Sequence, residues 1–500
     1  MPRDENTPLL RRRQERIRNS RLFLAVFSAV LGNFSFGYSM VYPSPVLPVL
    51  QAPDADPRLR MNTSQAALFG SIYTLGAAAG GLGAMLLNDK IGRKMSIMLS
   101  AVPSSIGYML MGGAFNLPML YVGRFLTGLA GGMTAASIPV YISEISHKAV
   151  RGALGSCPQI TAVFGTLTLY VLGLWVEWRW LAIAGGIPAV LMVVLLSFMP
   201  SSPRRLLSMG RDDKALQALH WLRGPDYDPN PELNGIRYSI RMQSRVTLSQ
   251  LGTPEYYKPI LISVGMRFLQ QMTGITPVLI YLQPIFARSK VPLEAKYDAA
   301  LVGVVRLFSV VLAASLMDKA GRKALLYTSS MLMFVSSLTL TITSHTTPCP
   351  GSQNSTVLNY NSHNALVNAT MDPSKSDTSI IPVISTMVFI FGYAMGWGPI
   401  TWLLMSEVLP LVTRGVASGL CVTVSWLTAF ALTHAFTHML DYGLYVPYLL
   451  FTVVCVLCLL FTAVCIPETR GRSLEEIENY FRTGRKFTIS SRSPSVLDST

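Results

Sequence analysis

Long apolar stretches recur along the chain, each about as long as a helix that crosses a lipid bilayer. A hydrocarbon core of roughly 30 Å requires about 20 apolar residues, and we count twelve such stretches. Because a spanning segment must satisfy its own backbone hydrogen bonds in lipid, we predict that all twelve are helices. These spans begin near Leu22, Ala66, Met95, Pro118, Leu154, Leu181, Ile260, Ala299, Leu325, Ile380, Val416 and Tyr445.

The polar segments between the spans place their positive charges on one side of the membrane. Half of the residues are apolar, only 13% are charged, and the mean hydropathy is +0.41, which excludes a set of soluble domains. The net charge of +15 then reflects cytosolic loops, not a nucleic-acid partner. The charges that define this side include Arg11, Arg12, Arg13, Lys90, Arg93, Lys94, Lys148, Arg151, Lys319, Arg322, Lys323, Arg414, Arg470 and Arg472.

Two charged motifs each occur twice. DKIGRK (89–94) joins spans 2 and 3, and DKAGRK (318–323) joins spans 8 and 9; SEISHKAVRG (143–152) follows span 4, and SEVLPLVTRG (406–415) follows span 10. The repeat predicts an all-α membrane protein whose twelve transmembrane helices form two six-helix halves with a helical cytosolic linker. Parallel repeats of this kind are typical of alternating-access carriers, with a substrate site near the midplane.

The repeat also divides the chain into segments. We expect a cytosolic tail (1–21), an N-terminal half (22–200), a cytosolic linker (201–258), a C-terminal half (259–466) and a second cytosolic tail (467–500). A polar loop within the C-terminal half (344–379) falls on the opposite, lumenal side. It contains the sequons of Asn354 and Asn368, which predict glycosylation because that modification requires lumenal exposure.

Five longer motifs resemble one known family. They are GRFLTGLAGGMTAASIPVYISEISHKAVRGALG, SSPRRLL, RFLQQMTGITPVLIYLQPIF, GWGPITWLLMSE and PETRGRSLEEIE. Together they resemble the facilitative hexose transporters, which are sugar porters of the major facilitator superfamily. The resemblance implies the major facilitator fold and hexose transport by alternating access without a cofactor. The long loop after span 9 and the dileucine near the N-terminus resemble the intracellular class three branch.

A hexose site should be polar but uncharged, with an aromatic surface for the sugar ring. The resemblance assigns hexose binding to Gln159, Gln270, Gln271 and Trp402, and it adds Thr276 and Ser425 at positions where relatives often have Asn. Two alternatives stay open. An intramembrane glutamine can simply join two helices, and a tryptophan can lie in the interfacial belt.

Arg306 departs further from the family, because relatives often have Asn at its position in span 8. A permanent charge inside a span normally faces a cavity or a partner. Asp298 lies two helical turns away, too far for simple pairing. The alternative is that Arg306 extends along the helix towards the lumen.

The duplicated charges are candidates for a cytosolic gate. They could pair between neighbouring helix ends when that side closes, although exposed pairs contribute only about 0–1 kcal/mol and ordinary positive-inside anchoring is the alternative. Ser201 stands where many relatives have Glu, which puts one pair in doubt. The gate candidates are Asp89, Arg93, Glu144, Arg151, Arg204, Asp318, Arg322, Glu407, Arg414 and Glu468.

The energy source can also be argued from residue types. Proton-coupled relatives carry Asp after F-G-Y in span 1, whereas this chain has Ser39 there and keeps Arg124 in span 4. Serine cannot exchange a proton near neutral pH, so we expect uniport, with Arg124 held by neutral acceptors or water. A proton-coupled symporter and a non-transporting sugar sensor are the alternatives.

No nucleotide-binding motif and no histidine metal cluster are present, so we expect neither an enzyme nor a cofactor.

The N-terminal tail contains a candidate sorting signal. Glu5 precedes Leu9 and Leu10 in DENTPLL, a pattern that resembles the acidic dileucine signals read by clathrin-adaptor-type sorting machinery. We therefore expect a multi-pass protein of endosomal or lysosomal membrane, with the plasma membrane as the alternative. The expected partners are the hexose, the lipid bilayer and this sorting machinery.

Overall fold

The chain folds into helices that follow the predicted spans. The computed structural model describes residues 18–147, 150–241, 252–289, 291–346, 379–409 and 414–469, together with residues 477, 480 and 481. The six spans of the N-terminal half are built from α1 (Ser20–Met40), α2 (Pro43–Leu50), α3 (Thr63–Lys90), α4 (Arg93–Gly112), α5 (Leu117–Ile145), α6 (Arg151–Leu172) and α7 (Trp178–Ser197).

Three linker helices and a second set of spans follow. The linker contains α8 (Pro203–Ser208), α9 (Asp212–Arg223) and α10 (Asn230–Arg241). Spans 7 and 10 are each divided into shorter helices. The C-terminal half comprises α11 (Pro254–Met272), α12 (Ile275–Ile280), α13 (Leu282–Arg288), α14 (Ala295–Ala320), α15 (Arg322–Thr346), α16 (Ile381–Met395), α17 (Pro399–Val408), α18 (Arg414–Met439) and α19 (Tyr445–Val464).

Ten of the described segments are long and apolar enough by themselves to cross a membrane. The two remaining spans, α6 and α11, contain the polar side chains Gln159, Arg267, Gln270 and Gln271, which lower their apolar character. Both pack within the bundle beside the other ten. The predicted all-α fold of twelve spans is therefore confirmed, and the weakest apolar signals belong to the two spans that carry most of the candidate site.

Small residues allow spans 2 and 4 to cross closely. A Cβ atom added at Gly128 would lie 2.2 Å from the carbonyl oxygen of Tyr73, and one added at Gly132 would lie 2.1 Å from that of Ala77. Lipid supplies no hydrophobic drive between helices, so close van der Waals contact of this kind stabilises the bundle. The glycine-rich GLAGG stretch in span 4 therefore acts as a packing surface.

The two halves are joined at the lumenal ends of their spans. The Tyr170 hydroxyl of α6 donates to the carbonyl oxygen of Leu279 at 2.8 Å, and the Gln283 backbone N–H donates to the Ser44 hydroxyl at 3.1 Å. Both hydrogen bonds connect the N-terminal half with the segment α12–α13 of span 7. These contacts hold the two halves together at the end of the bundle opposite the linker.

The linker docks on the N-terminal half through one buried arginine. The Nη1 atom of Arg223 donates to the carbonyl oxygen of Ile145 at the end of α5, at 2.8 Å, where a cation also complements the helix dipole. Its Nη2 atom lies 2.8 Å from Glu232, and the Tyr227 hydroxyl donates to the same carboxylate at 2.9 Å. Glu232 thus neutralises the cation that holds the linker in place.

This ion pair predicts an acid-sensitive linker. Burial by itself raises the pKa of Glu232, but the hydrogen bonds from Arg223 and Tyr227 outweigh it and leave the pKa below its usual value. Such a carboxylate stabilises the fold above its unfolded-state pKa of about 4.3, and this stability is lost as pH falls through the folded-state pKa. We expect Glu232→Gln to lower thermal stability at pH 7 by about 1–3 kcal/mol, and we expect this loss to become smaller as pH falls towards the folded-state pKa.

Thermal unfolding of the purified protein at pH 7 and pH 3 tests this expectation. Asp212→Asn is the control, because Asp212 pairs with Arg237 at 2.7 Å with both side chains largely exposed. An equal loss of stability for Glu232→Gln at both pH values would contradict the ion-pair account.

Candidate functional site

The candidate site lies where spans 7 and 10 are broken. Gly274 follows α11 with φ +87°, a left-handed conformation that favours glycine, and a Cβ atom there would lie 2.2 Å from the ring of Phe451. In span 10, α16 ends at Met395 and α17 begins at Pro399. Broken helices expose backbone carbonyl groups inside the bundle, which is where carriers of this architecture bind substrates.

Gln270 joins the two broken spans. Its Nε2 atom donates to the carbonyl oxygen of Trp397 at 2.7 Å, to that of Gly398 at 3.2 Å and to the Tyr393 hydroxyl at 3.0 Å. Its Oε1 atom accepts a hydrogen bond from Arg267. In this conformation Gln270 therefore acts as a connection between helices, which is the alternative role that the sequence had left open.

Gln271 forms a second, uncharged cluster with two other candidate residues. Its Nε2 atom donates to the Ser425 hydroxyl of α18 at 3.1 Å, and the Thr276 hydroxyl donates to its Oε1 atom at 2.7 Å. The structure therefore brings together Thr276 and Ser425, two of the three residues that stand where relatives often have Asn. Gln159 lies half-buried on α6 and hydrogen-bonds to neither cluster among the described residues.

Arg267 is a residue that the sequence analysis missed. It is 1% exposed, and its guanidinium carbon lies 3.8 Å from the ring centre of Trp402. The expectation of an uncharged site is therefore wrong at this point, because a buried cation covers one face of the indole that was expected to pack against the sugar. The intramembrane-arginine argument applied to Arg306 would have found Arg267 too.

Arg306 points into the bundle. The residue is 9% exposed, and its Nη1 atom donates to the Thr166 hydroxyl of α6 at 3.4 Å, a contact between the two halves. The alternative in which Arg306 extends towards the lumen is therefore wrong. As expected from the helix register, no ion pair joins it to Asp298 among the described residues, and one carboxylate oxygen of Asp298 is buried without a partner there.

Arg124 is held by neutral acceptors, as predicted. Its Nη1 atom donates to the carbonyl oxygen of Ser39 at 2.5 Å, and its Nε atom donates to that of Phe69 at 3.3 Å. The guanidinium carbon also lies 4.7 Å from the ring centre of Tyr73, which adds a cation–π contact. Position 39 is therefore within reach of Arg124 but offers it no carboxylate.

The cytosolic charges of the N-terminal half form one network. Arg93 at the start of α4 lies 3.1 Å from Glu144 at the end of α5 and 3.9 Å from Asp89. The second oxygen of Glu144 accepts a hydrogen bond from Ser202, which follows span 6. The Arg205 guanidinium donates to the carbonyl oxygen of Lys90 at 2.7 Å, and together these contacts join the cytosolic ends of spans 2, 3, 4 and 6.

The C-terminal half repeats this network. Arg322 at the start of α15 lies 3.2 Å from Glu407, whose second oxygen accepts from the Thr469 hydroxyl at 2.6 Å. Glu468 accepts from the backbone N–H of Arg322 at 3.1 Å and of Lys323 at 3.0 Å. Ser201 occupies the position equivalent to Glu468, so the N-terminal half has a hydroxyl where the C-terminal half has this carboxylate.

The described ion pairs of this region connect helices of the same half. Arg151 is exposed and donates to the carbonyl oxygen of Ser146 at 3.1 Å, and Arg204 lies half-buried at the start of α8. The side chains of Asp318 and Arg414 lie outside the described part of the structure. So do Glu5, Leu9, Leu10, Asn354 and Asn368.

The fold and the site together define a membrane carrier, with two repeated six-helix halves that contact each other at one end and polar groups at broken helices. The family profile described as "Sugar (and other) transporter" matches residues 25–481, and the chain belongs to this family. The family is one of transporters, so the predicted membership in the sugar porters and the expectation that the chain is not an enzyme are both confirmed.

Individual relatives agree with this assignment. The chain is 57% identical over 473 residues to human solute carrier family 2, facilitated glucose transporter member 6, covering 94% of this chain and 93% of the relative. It is 39% identical to mouse member 8, covering 95% and 98%. Both relatives are named as facilitated glucose transporters, in agreement with the resemblance of the sequence motifs to the facilitative hexose transporters.

Solved structures agree on the fold. The inward-open conformation of the xylose transporter XylE from E. coli superposes with a TM-score of 0.73 at 23% identity, covering 92% of this chain and 99% of the other. The predicted major facilitator fold is therefore confirmed.

Proposed function

We propose that this protein is a facilitative hexose transporter that works by alternating access. The observation that carries the proposal is the uncharged cluster of Gln271, Thr276 and Ser425, which lies at the broken helix of span 7 in a carrier built of two six-helix halves. Amide and hydroxyl groups both donate and accept hydrogen bonds, as sugar hydroxyls do. The relatives named as facilitated glucose transporters support the same substrate class.

Uniport follows from the surroundings of Arg124. Its described hydrogen-bond partners are backbone carbonyl oxygens, which do not titrate, and position 39 carries serine. Among its described partners, Arg124 therefore has no carboxylate that could take up and release a proton. Sugar should move in whichever direction its own gradient points, and the symporter alternative is not favoured.

The charge networks, which are repeated in the two halves, support a mechanical role for each half. Because each half joins the cytosolic ends of its own spans, we infer that the halves move as rigid bodies about the central site. The proposal also includes the segment boundaries predicted from the sequence. They are a linker at 201–258 and a lumenal loop at 344–379 that is glycosylated at Asn354 and Asn368.

Radiolabelled glucose counterflow in vesicles tests the function. The purified protein is reconstituted, the vesicles are loaded with unlabelled glucose, and entry of a trace of labelled glucose is followed. A carrier should produce a transient accumulation of label that empty vesicles do not show. Saturable glucose binding without counterflow would favour the sugar sensor and overturn the transporter proposal.

We also propose residence in endosomal or lysosomal membrane through the dileucine signal. The combined change Leu9→Ala and Leu10→Ala should move most of the protein to the cell surface, because the adaptor-type machinery would lose its apolar contact. Surface biotinylation measures this change. The matched control replaces Leu474, which lies outside the N-terminal signal. Unchanged intracellular residence of the double variant would exclude this signal as the cause.

A further inference from the structure

A hydrogen bond between Arg306 and Thr166 joins the two halves inside the membrane. The Nη1 atom of Arg306 on α14 donates to the Thr166 hydroxyl of α6 at 3.4 Å, and the two residues are 9% and 1% exposed. None of the described ion pairs joins one half to the other. Arg306 is therefore a charged residue whose described partner belongs to the opposite half.

Apolar contacts lie on both sides of this hydrogen bond along α6 and α14. One turn before Arg306, a Cβ atom added at Gly303 would lie 3.1 Å from the Cδ1 atom of Leu167 and 3.5 Å from its Cα atom. One turn after Arg306, Val310 belongs to the same buried apolar cluster as Val163. The two helices therefore form a seam between the halves, which is defined by Gly303, Arg306 and Val310 of α14 and by Val163, Thr166 and Leu167 of α6.

Thr166 is held firmly within the N-terminal half. Its hydroxyl lies 3.2 Å from the carbonyl oxygen of Ala162 and 3.3 Å from that of Gly37 in α1. A hydroxyl has one hydrogen and two lone pairs, so it can donate to one of these carbonyl groups while it accepts from Arg306. The helices α1 and α6 also cross closely here, because a Cβ atom added at Gly37 would collide with the Ala162 carbonyl group. Arg306 therefore contacts a residue that can shift little relative to α1.

The charge of Arg306 keeps some access to water in this arrangement. Arg124 and Arg267 each have one fully enclosed nitrogen atom without a hydrogen-bond partner in the described structure, whereas no nitrogen atom of Arg306 is in this condition there. The cost of burying the charge is reduced accordingly. A hydrogen bond from an ionised donor is stronger than one between neutral groups, although 3.4 Å is long for such a bond. The balance favours a modest net attraction across the seam.

We propose that Arg306 is a latch that holds α14 against α6 through Thr166 until the seam separates during transport. This inference rests on the proposed function, because alternating access requires contacts between the halves to form and to break. A contact that exists in only one arrangement of the halves favours that arrangement by its own free energy. The latch therefore raises the population of the arrangement in which the seam is closed.

The initial rate of disulfide cross-linking across the seam tests the latch. Gly303→Cys and Leu167→Cys are introduced together, since a Cβ atom at position 303 would lie 3.5 Å from the Cα atom of residue 167, close enough for a disulfide. A protease site is inserted in the linker. After mild oxidation and cleavage, cross-linked halves stay joined on a non-reducing gel. Each cysteine substitution alone is the control for the native cysteines.

Cross-linking should be slower without the latch. We expect Arg306→Met and Thr166→Val each to lower the initial rate about threefold. The combined variant should lower it no further, because both substitutions remove the same hydrogen bond. Thr166→Ser keeps the hydroxyl and should retain the rate. The matched control Thr168→Val should also retain it, since the Thr168 hydroxyl donates at 2.8 Å to the carbonyl oxygen of Phe164 in its own helix.

Two results would overturn the latch. The first is an unchanged or faster rate in Arg306→Met and Thr166→Val proteins that unfold at the normal temperature, because burial of the charge would then outweigh the hydrogen bond. The second is a combined variant in which the two effects multiply, because the residues would then act separately. The assay contains no sugar, so its outcome is independent of the substrate. Absence of hexose counterflow by the unaltered protein would instead defeat the proposed function.

Discussion

Gln271→Ala should weaken glucose binding about tenfold or more and raise the sugar concentration needed for half-maximal exchange. The substitution removes an amide that lies between Ser425 and Thr276 and leaves both hydroxyl groups buried without this partner. An unsatisfied buried polar group costs about 1–3 kcal/mol, and the substrate would also lose its own contacts with the amide. Competition binding with glucose on purified protein measures the effect.

The control for this prediction is Gln51→Ala, since Gln51 is exposed at the end of α2. It should leave glucose affinity unchanged. A Gln271→Ala protein that unfolds at the normal temperature and binds glucose with unaltered affinity would show that Gln271 only joins helices, and the site would have to lie elsewhere.

Glu407→Gln should slow sugar exchange about tenfold while leaving glucose affinity nearly unchanged. Glu407 neutralises Arg322, whose side chain is only 13% exposed, and it also accepts from Thr469. Loss of a partly buried pair of this kind costs about 1–3 kcal/mol, between the values for exposed and buried pairs. The C-terminal half would then move less well as one body, whereas the central site keeps its residues. Exchange rates in vesicles and binding in detergent separate the two effects.

Glu294→Gln is the matched control, because Glu294 lies the same 3.2 Å from Lys296 but its side chain is 70% exposed. It should alter neither exchange nor binding. Parallel loss of binding and exchange in folded Glu407→Gln protein would show that the network supports the site itself. The same assay applied to Arg414→Ala extends the test to the second charged residue of the SEVLPLVTRG repeat.

The spans could be predicted from the sequence because bilayer thickness sets the length of an apolar helix, and the duplicated motifs revealed the two halves. The breaks in spans 7 and 10 could not be located from the lengths of the apolar stretches, because each stretch continues through its break. Local signals were nevertheless present, since Gly274 and Gly398 each lie close to a proline. What the sequence could not show is that Gln270 would donate to carbonyl groups freed by the second break.

The candidate site was predicted in part. The family resemblance pointed to Gln271, Thr276 and Ser425, and the structure places them in one cluster, although their role in binding stays a prediction. The duplicated charges identified the residues of both glutamate–arginine pairs, but not which glutamate pairs with which arginine. Their third partners, Ser202 and Thr469, escaped notice because they follow the last span of each half and only the folded bundle brings them to the glutamates.

The central claim is that sugar movement is not coupled to protons, and an imposed pH gradient across reconstituted vesicles tests it most directly. With equal concentrations of labelled glucose on both sides, we predict rapid exchange and no net accumulation of glucose, whichever side of the membrane is more acidic. Ser39→Asp provides the internal comparison, because a carboxylate within reach of Arg124 should introduce pH dependence. Steady accumulation by the unaltered protein that a protonophore abolishes would contradict uniport and establish the symporter.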